Sequence, residues 1–173
     1  RRAFDIPPSD LGRRISVEFD GVFRDCMVIL NGHYIGRNLS GYSPFRLDIT
    51  DFVNYATRDQ AGTPTGPGRN VLLVRADATE NEGWFYEGAG IYRHVWLEKT
   101  APLHVAHWGT FVTSVLRAGS ATVSIDTDVQ NEADAPATCH VTSKSVDASG
   151  RTIALAASAS LLFGARDCLT VKE

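Results

Sequence analysis

Nowhere does this chain run apolar for the roughly 18 residues that a membrane-spanning helix needs, so no membrane partner is expected. A basic excess is missing too. Lys and Arg total 17 against 20 Asp and Glu, a net charge of -3, which gives no field to hold nucleic acid. Cysteine is scarce. Cys26, Cys139 and Cys168 are odd in number and make no close pair, which argues against a disulfide framework or a zinc site. Cys26 sits in an apolar run and reads as a small core residue. Cys139 and Cys168 fall on strands that a β-sandwich could bring opposite each other, although bridge geometry is demanding. His33, His94, His104, His107 and His140 show no metal-ligand spacing, and no Ser/His/Asp grouping, glycine-rich phosphate loop or CxxC occurs. No metal or cofactor is expected. Helix-period segments of useful length are absent, as are repeats of about 20–50 residues.

The first residues, Arg1 to Pro7, lack the apolar core of a secretory leader, and no Met opens the chain. The sequence therefore reads as a piece of something longer. No signal assigns it to the periplasm, the exterior or the cytoplasm. Its 173 residues suffice for one large β domain or two small ones.

What is present is β pattern. Arg1 to Ile6 reads as a strand that stops at Pro7-Pro8. Ile15-Ser16-Val17-Glu18-Phe19 alternates as a half-buried strand does. Cys26 to Leu30 is apolar throughout and reads as a central strand. Asn31-Gly32 supplies the two residues that a type I′ hairpin turn requires, with Tyr34-Ile35-Gly36 returning antiparallel. Phe45 to Ile49 is the next strand, and Thr50 is placed as the N-cap of a short helical turn. Tyr55 to Arg69, with Gly62, Pro64, Gly66, Pro67 and Gly68, reads as a solvent loop. Asn70 to Arg75 and Ile91 to Leu97 are strands. Lys99 to Pro102 is a natural boundary. Beyond it strands are expected at 104–111, 121–130, 137–144, 153–162 and 168–172, with turns at 117–119, 131–134 and 147–150. That spacing suggests an immunoglobulin-like sandwich.

Between the strands 70–75 and 91–97 lies an unusual loop. It holds Glu80, Asn81 and Glu82, then Trp84, Phe85 and Tyr86, then Glu87 and Gly88-Ala89-Gly90. Rigid β scaffolds present such loops at ligand sites. Alternation along 91–97 puts Arg93 and Val95 on one face and Tyr92, His94 and Trp96 on the other. Arg93 is expected to pair with a carboxylate that holds the loop.

The stretch Gly83-Trp84-Phe85-Tyr86-Glu87-Gly88-Ala89-Gly90-Ile91-Tyr92-Arg93-His94-Val95-Trp96-Leu97 resembles the end of the sugar-binding domain of glycoside hydrolase family 2. That family includes β-galactosidases, β-glucuronidases and β-mannosidases. Phe19-Asp20-Gly21-Val22 with Val28-Ile29-Leu30-Asn31-Gly32-His33-Tyr34-Ile35-Gly36 is similar to the family's earlier strands, and Tyr42 to Thr50 to its next segment. The resemblance implies an all-β chain: a jelly-roll (galactose-binding-like) β-sandwich at 1–101, lacking its N-terminal part, then an immunoglobulin-like β-sandwich at 102–173. It implies a non-catalytic portion of a retaining hydrolase acting on β-galactosides or related β-glycosides. Both catalytic glutamates of that family lie on a later (β/α)8 barrel of ~250 residues, which would be this segment's partner in the same chain, and the segment alone is expected to be inactive. The implied sugar contacts are Trp84, Glu80, Glu82 and Tyr86. In the galactosidases an acidic residue of this loop reaches the sugar. Counting back from Gly90-Ile91-Tyr92-Arg93, Trp84 falls near that position, and an indole face packs well on pyranose C–H bonds. The reading leaves room for an oligomer. Two rivals stay open: a stand-alone carbohydrate-binding module, and a structural or adhesion pair of sandwiches.

Overall fold

The computed structural model describes residues 1–58, 60–61, 64–66, 68–79 and 88–173. The chain forms two compact units, Arg1–Thr100 and Ala101–Glu173. Both are built from antiparallel strands, and the described residues contain no α-helix.

The first unit contains β1 (Arg2–Asp5), β2 (Arg14–Phe19), β3 (Val22–Phe23), β4 (Cys26–Leu30), β5 (His33–Asn38) and β6 (Phe45–Asp48). It continues with β7 (Thr57–Arg58), β8 (Pro64–Gly66), β9 (Arg69–Ala76), β10 (Gly90–Ile91) and β11 (Val95–Thr100). The two larger sheets have the orders β1-β9-β4-β5 and β11-β2-β6, beside the two-stranded ladders β10-β3 and β7-β8. Their inner faces enclose a core of Ile6, Ile15, Val17, Phe19, Val22, Cys26, Val28, Leu30 and Ile49. Alternation along β2 and β4 delivers these residues to one side, as the period of 2 requires. Phe19 stacks on Phe45 with ring centroids 4.8 Å apart. Cys26 is fully buried, and burial pushes its thiol pKa up, so it packs as an inert apolar residue.

The hairpin at Asn31-Gly32 forms as its sequence demands. Both residues have positive φ, 53° and 88°, and Leu30 pairs with His33 across a two-residue turn. Asn31 does more than turn the chain. Its side chain donates to Phe52 O and to Asn70 Oδ1, both at 2.8 Å, and accepts from Val71 N at 2.9 Å. The fully buried Asn70 spends every bond it can make on Asn31, on Asn54 N and O, and on Gly68 O. This polar clasp ties the hairpin to the chain around 52–54 and 68.

Several local expectations change, and the expected solvent loop 55–69 itself carries the paired strands β7 and β8. Thr50 is inside the 3₁₀ turn Thr50–Phe52 rather than capping it. Its backbone N–H donates to Asp48 Oδ1 at 2.8 Å, and its hydroxyl accepts from Ile15 N at 2.9 Å and donates to Ile15 O at 3.2 Å. The expected strand Ile91–Leu97 is two strands, β10 on β3 and β11 on β2, separated by Tyr92-Arg93-His94. The break occurs because the two halves pair with different partners. Finally, β2 is buried on both faces: Glu18 lies between Trp96 and Arg46 in the ladder and is only 8% exposed.

The second unit contains β12 (Leu103–Arg117), β13 (Ser120–Asn131), β14 (Ala137–Cys139), β15 (Thr142–Val146), β16 (Thr152–Ala157), β17 (Leu161–Phe163) and β18 (Asp167–Lys172). The ladders are β12-β13-β18, β14-β17 and β15-β16. Strand β12 bulges between Val105 and Thr110, where Trp108 takes a φ of 53°. The expected strand 137–144 divides into β14 and β15, and 153–162 into β16 and β17. Among the described residues of this unit, Val129, Phe163 and Val171 form the buried cluster, flanked by Leu103, Cys139, Val141 and Leu161. Cys139 and Cys168 are free thiols, held on β14 and β18 in different ladders.

Candidate functional site

The four residues expected to touch sugar, Glu80, Glu82, Trp84 and Tyr86, lie outside the described residues, as do Asn81, Phe85 and Glu87. The frame on either side of them is described, and it is heavily tied down. On the N-terminal side, Asp77 follows β9. Its N–H donates to Arg24 O at 3.0 Å and Asp25 O at 3.3 Å. Its carboxylate accepts from Thr79 Oγ1 at 2.8 Å and Thr79 N at 3.3 Å, and from Arg75 Nη2 at 2.8 Å. Asp25, at a φ of 41°, receives Arg37 through two bonds of 2.5 and 2.6 Å. Asp, with its short polar side chain, is one of the few residue types that occupies this backbone region readily.

On the C-terminal side, Gly90 and Ile91 pair with Phe23 and Val22. Tyr92 then crosses over Gly21, where a Cβ would sit 2.5 Å from the ring carbon Cζ, so only glycine fits. The Tyr92 hydroxyl donates to Gly41 O at 2.8 Å. Arg93 lies over the Tyr92 ring at 5.5 Å, a cation–π contact; the loop carboxylates Glu80, Glu82 and Glu87 lie outside the described residues. Phe23 and Tyr42 meet edge to face at 5.6 Å, with Arg24 over Phe23 at 6.0 Å. Further along, Trp96 Nε1 donates to both oxygens of Asp20, at 3.1 and 3.2 Å, and its ring lies 5.2 Å from that of His94.

This end of the first unit therefore presents aromatic faces. Tyr42 is 64% exposed, Trp96 51% and Tyr92 49%, each with its position set by a hydrogen bond or a ring contact. Such surfaces suit flat, partly apolar ligands. The carboxylates suit acid catalysis poorly. A general acid needs a raised pKa. Arg37 holds the Asp25 carboxyl below its ordinary value near 3.8, and the Thr79 bonds do the same for Asp77.

Reading the sequence missed Tyr42, Asp25, Arg37 and Asp77. Tyr92 and Gly41 are 51 positions apart, and no spacing rule connects them. One signal was available: Asp25 closes a polar bend, Arg24-Asp25, directly before an apolar strand.

Fold and site together define a protein of the β-sandwich class that carries an aromatic loop end on its first unit. Comparison with known proteins makes this specific: the chain belongs to glycoside hydrolase family 2. It is 38% identical over 157 residues to the β-galactosidase BoGH2A of Bacteroides ovatus, covering 89% of this chain and 17% of that protein. To a β-galactosidase of Thermoanaerobacter pseudethanolicus it is 29% identical over 137 residues, 75% of this chain and 17% of that one. A solved glycosyl hydrolase family 2 member from Bacteroides cellulosilyticus superposes with a TM-score of 0.87 at 29% identity, covering 99% of this chain and 22% of that chain. No family model matches. The chain thus spans about a sixth of the length of the relatives it matches.

Proposed function

We propose that the chain is a non-catalytic β-sandwich portion of a retaining β-glycosidase that hydrolyses O-glycosyl bonds of β-galactosides or related β-glycosides. The observation that carries this reading is the alignment with a β-galactosidase over 89% of the chain but 17% of that enzyme. In this reading the first unit is the sugar-binding jelly-roll domain and the second the immunoglobulin-like one. The partner is a (β/α)8 barrel on the same polypeptide, which supplies the two carboxylates about 5–5.5 Å apart that retaining hydrolysis needs. Trp84 offers its indole face to the sugar, with Tyr86, Glu80 and Glu82 beside it. Two features support a ligand role for this loop: both its flanks are fixed, and the described aromatics next to it are exposed.

Assay of the natural full-length polypeptide on nitrophenyl β-galactoside and β-glucuronide tests the proposal. Turnover is expected from the full polypeptide and none from residues 1–173 alone. Trp84→Ala should raise KM several-fold and leave kcat less affected, the pattern of lost substrate binding. A full polypeptide inactive on every β-glycoside would overturn the reading, and unchanged kinetics in Trp84→Ala would remove Trp84 from the site.

A further inference from the structure

The turn Asn31-Gly32 carries a chemical liability. Where glycine follows asparagine, no side chain shields the peptide nitrogen, and that nitrogen can reach the asparagine Cγ. This is the one Asn-Gly pair in the sequence; the other asparagines precede Leu, Tyr, Val or Glu. Gly32 is exposed, and a Cβ there would meet nothing within 4 Å, so water has free access. The hairpin nevertheless needs this pair, because both positions take positive φ.

Against that liability stands the polar clasp. The Asn31 amide nitrogen spends both of its N–H donors, on Phe52 O and Asn70 Oδ1, and its oxygen accepts from Val71 N. Moving Cγ onto the Gly32 nitrogen breaks all three bonds. Asn70 cannot follow the movement, because it is fully buried and bound to Asn54 N, Asn54 O and Gly68 O.

We propose that Asn31 is a site of spontaneous deamidation gated by this clasp. While the clasp is closed the amide persists. Once it opens, the Gly32 nitrogen gives its proton to water and attacks Cγ. The N–Cγ bond forms, the Cγ–Nδ2 bond breaks, and Nδ2 leaves as ammonia after taking a proton from solvent. Water then opens the resulting succinimide at either carbonyl, giving an aspartyl or an isoaspartyl residue at position 31. No electron is transferred, and water is the only co-reactant. Neither product can close the clasp again. The aspartyl carboxylate only accepts, yet it faces Phe52 O and Asn70 Oδ1, which are acceptors too. The isoaspartyl form adds a backbone carbon to a turn that pairs Leu30 with His33, and so disturbs that register. The reaction leaves a one-way mark on any molecule whose hairpin has opened, and it does not rest on glycosidase activity.

Peptide mass spectrometry of the aged natural polypeptide tests this, with isoaspartyl methyltransferase labelling to identify the product. Deamidation of Asn31 in the folded protein should be at least about tenfold slower than in urea-unfolded chain, the gap that a local opening equilibrium imposes. Asn70→Ala should raise the folded rate several-fold while amides of β4 stay protected from exchange. A second arm needs no variant: in the unaltered protein the rate should climb with urea below the concentration at which β4 loses protection. Equal rates in folded and unfolded chain would overturn the proposal. So would a folded rate unmoved by Asn70→Ala, or one that stays flat in urea until β4 unfolds, since the clasp would then not be the gate.

Discussion

The two units reach β structure by unequal means. Among the described residues, the first buries nine apolar side chains in one cluster and the second three. Yet the second has the longest ladder of the chain, running from Leu103↔Asn131 to Arg117↔Ser120. Its hydrogen bonds are made while its side chains stay wet: Trp108 is 76% exposed, Leu116 79% and Leu162 70%. Backbone pairing exchanges water bonds for protein bonds at modest net gain, whereas apolar burial is the dominant favourable force. The first unit should therefore carry most of the stability of these residues. The second should hold its register chiefly through the ladder and through Phe163.

The largest expected effect tests that contrast directly. Phe163→Ala and Phe19→Ala delete the same chemistry from fully buried sites, at about 3–5 kcal/mol each. In the second unit that loss should abolish exchange protection in β13 and β18, with the first unit still folded. In the first unit Phe19→Ala should lower the urea midpoint and leave a cooperative transition. Protection of β13 that survives Phe163→Ala would show that the ladder suffices by itself.

Next in size is Asn70→Ala, which strands partners on Asn31, Asn54 and Gly68. It should cost about 3 kcal/mol, at the upper end for unpaired buried polar groups, seen as a lower denaturant midpoint for the first unit only. Thr50→Val removes the hydroxyl that clasps Ile15. About 1 kcal/mol is expected, read as faster exchange of the Ile15 amide.

The smallest effect is electrostatic. Arg37 lowers the folded pKa of Asp25 below 3.8, so the pair's contribution is full above the unfolded value and fades as pH falls through the lower folded one. Asp25→Asn should lower the Tm slightly near neutral pH, and the gap to the unaltered chain should close in acid. Because the pair is exposed, salt should narrow the gap as well. A gap that widened in acid would show that the arginine is not the cause.

Much of the first unit was legible in its residues. Asn31-Gly32 specified its turn because few other pairs accept positive φ twice in succession, and the apolar run of β4 announced a central strand. The break at Tyr92-Arg93-His94 was not legible. Periodicity reports which face a residue prefers, not which partner strand its neighbours will find. The loop motif at 80–90 pointed to a sugar-binding loop by resemblance. The contacts that fix the residues flanking it, Asp25 with Arg37 and Tyr92 on Gly41, are distant in sequence and leave no local pattern.

By itself, then, the sequence determined the class of this protein: antiparallel strands, a break near residue 100 and, among the described residues, no α-helix. Those follow from side-chain alternation and turn chemistry, which act over a few residues. The tertiary structure alone decided that β10 and β11 separate, and that Asn70 is a buried junction rather than a surface amide. Each depends on which strands become neighbours, and burial is a property of that arrangement rather than of any one stretch of chain.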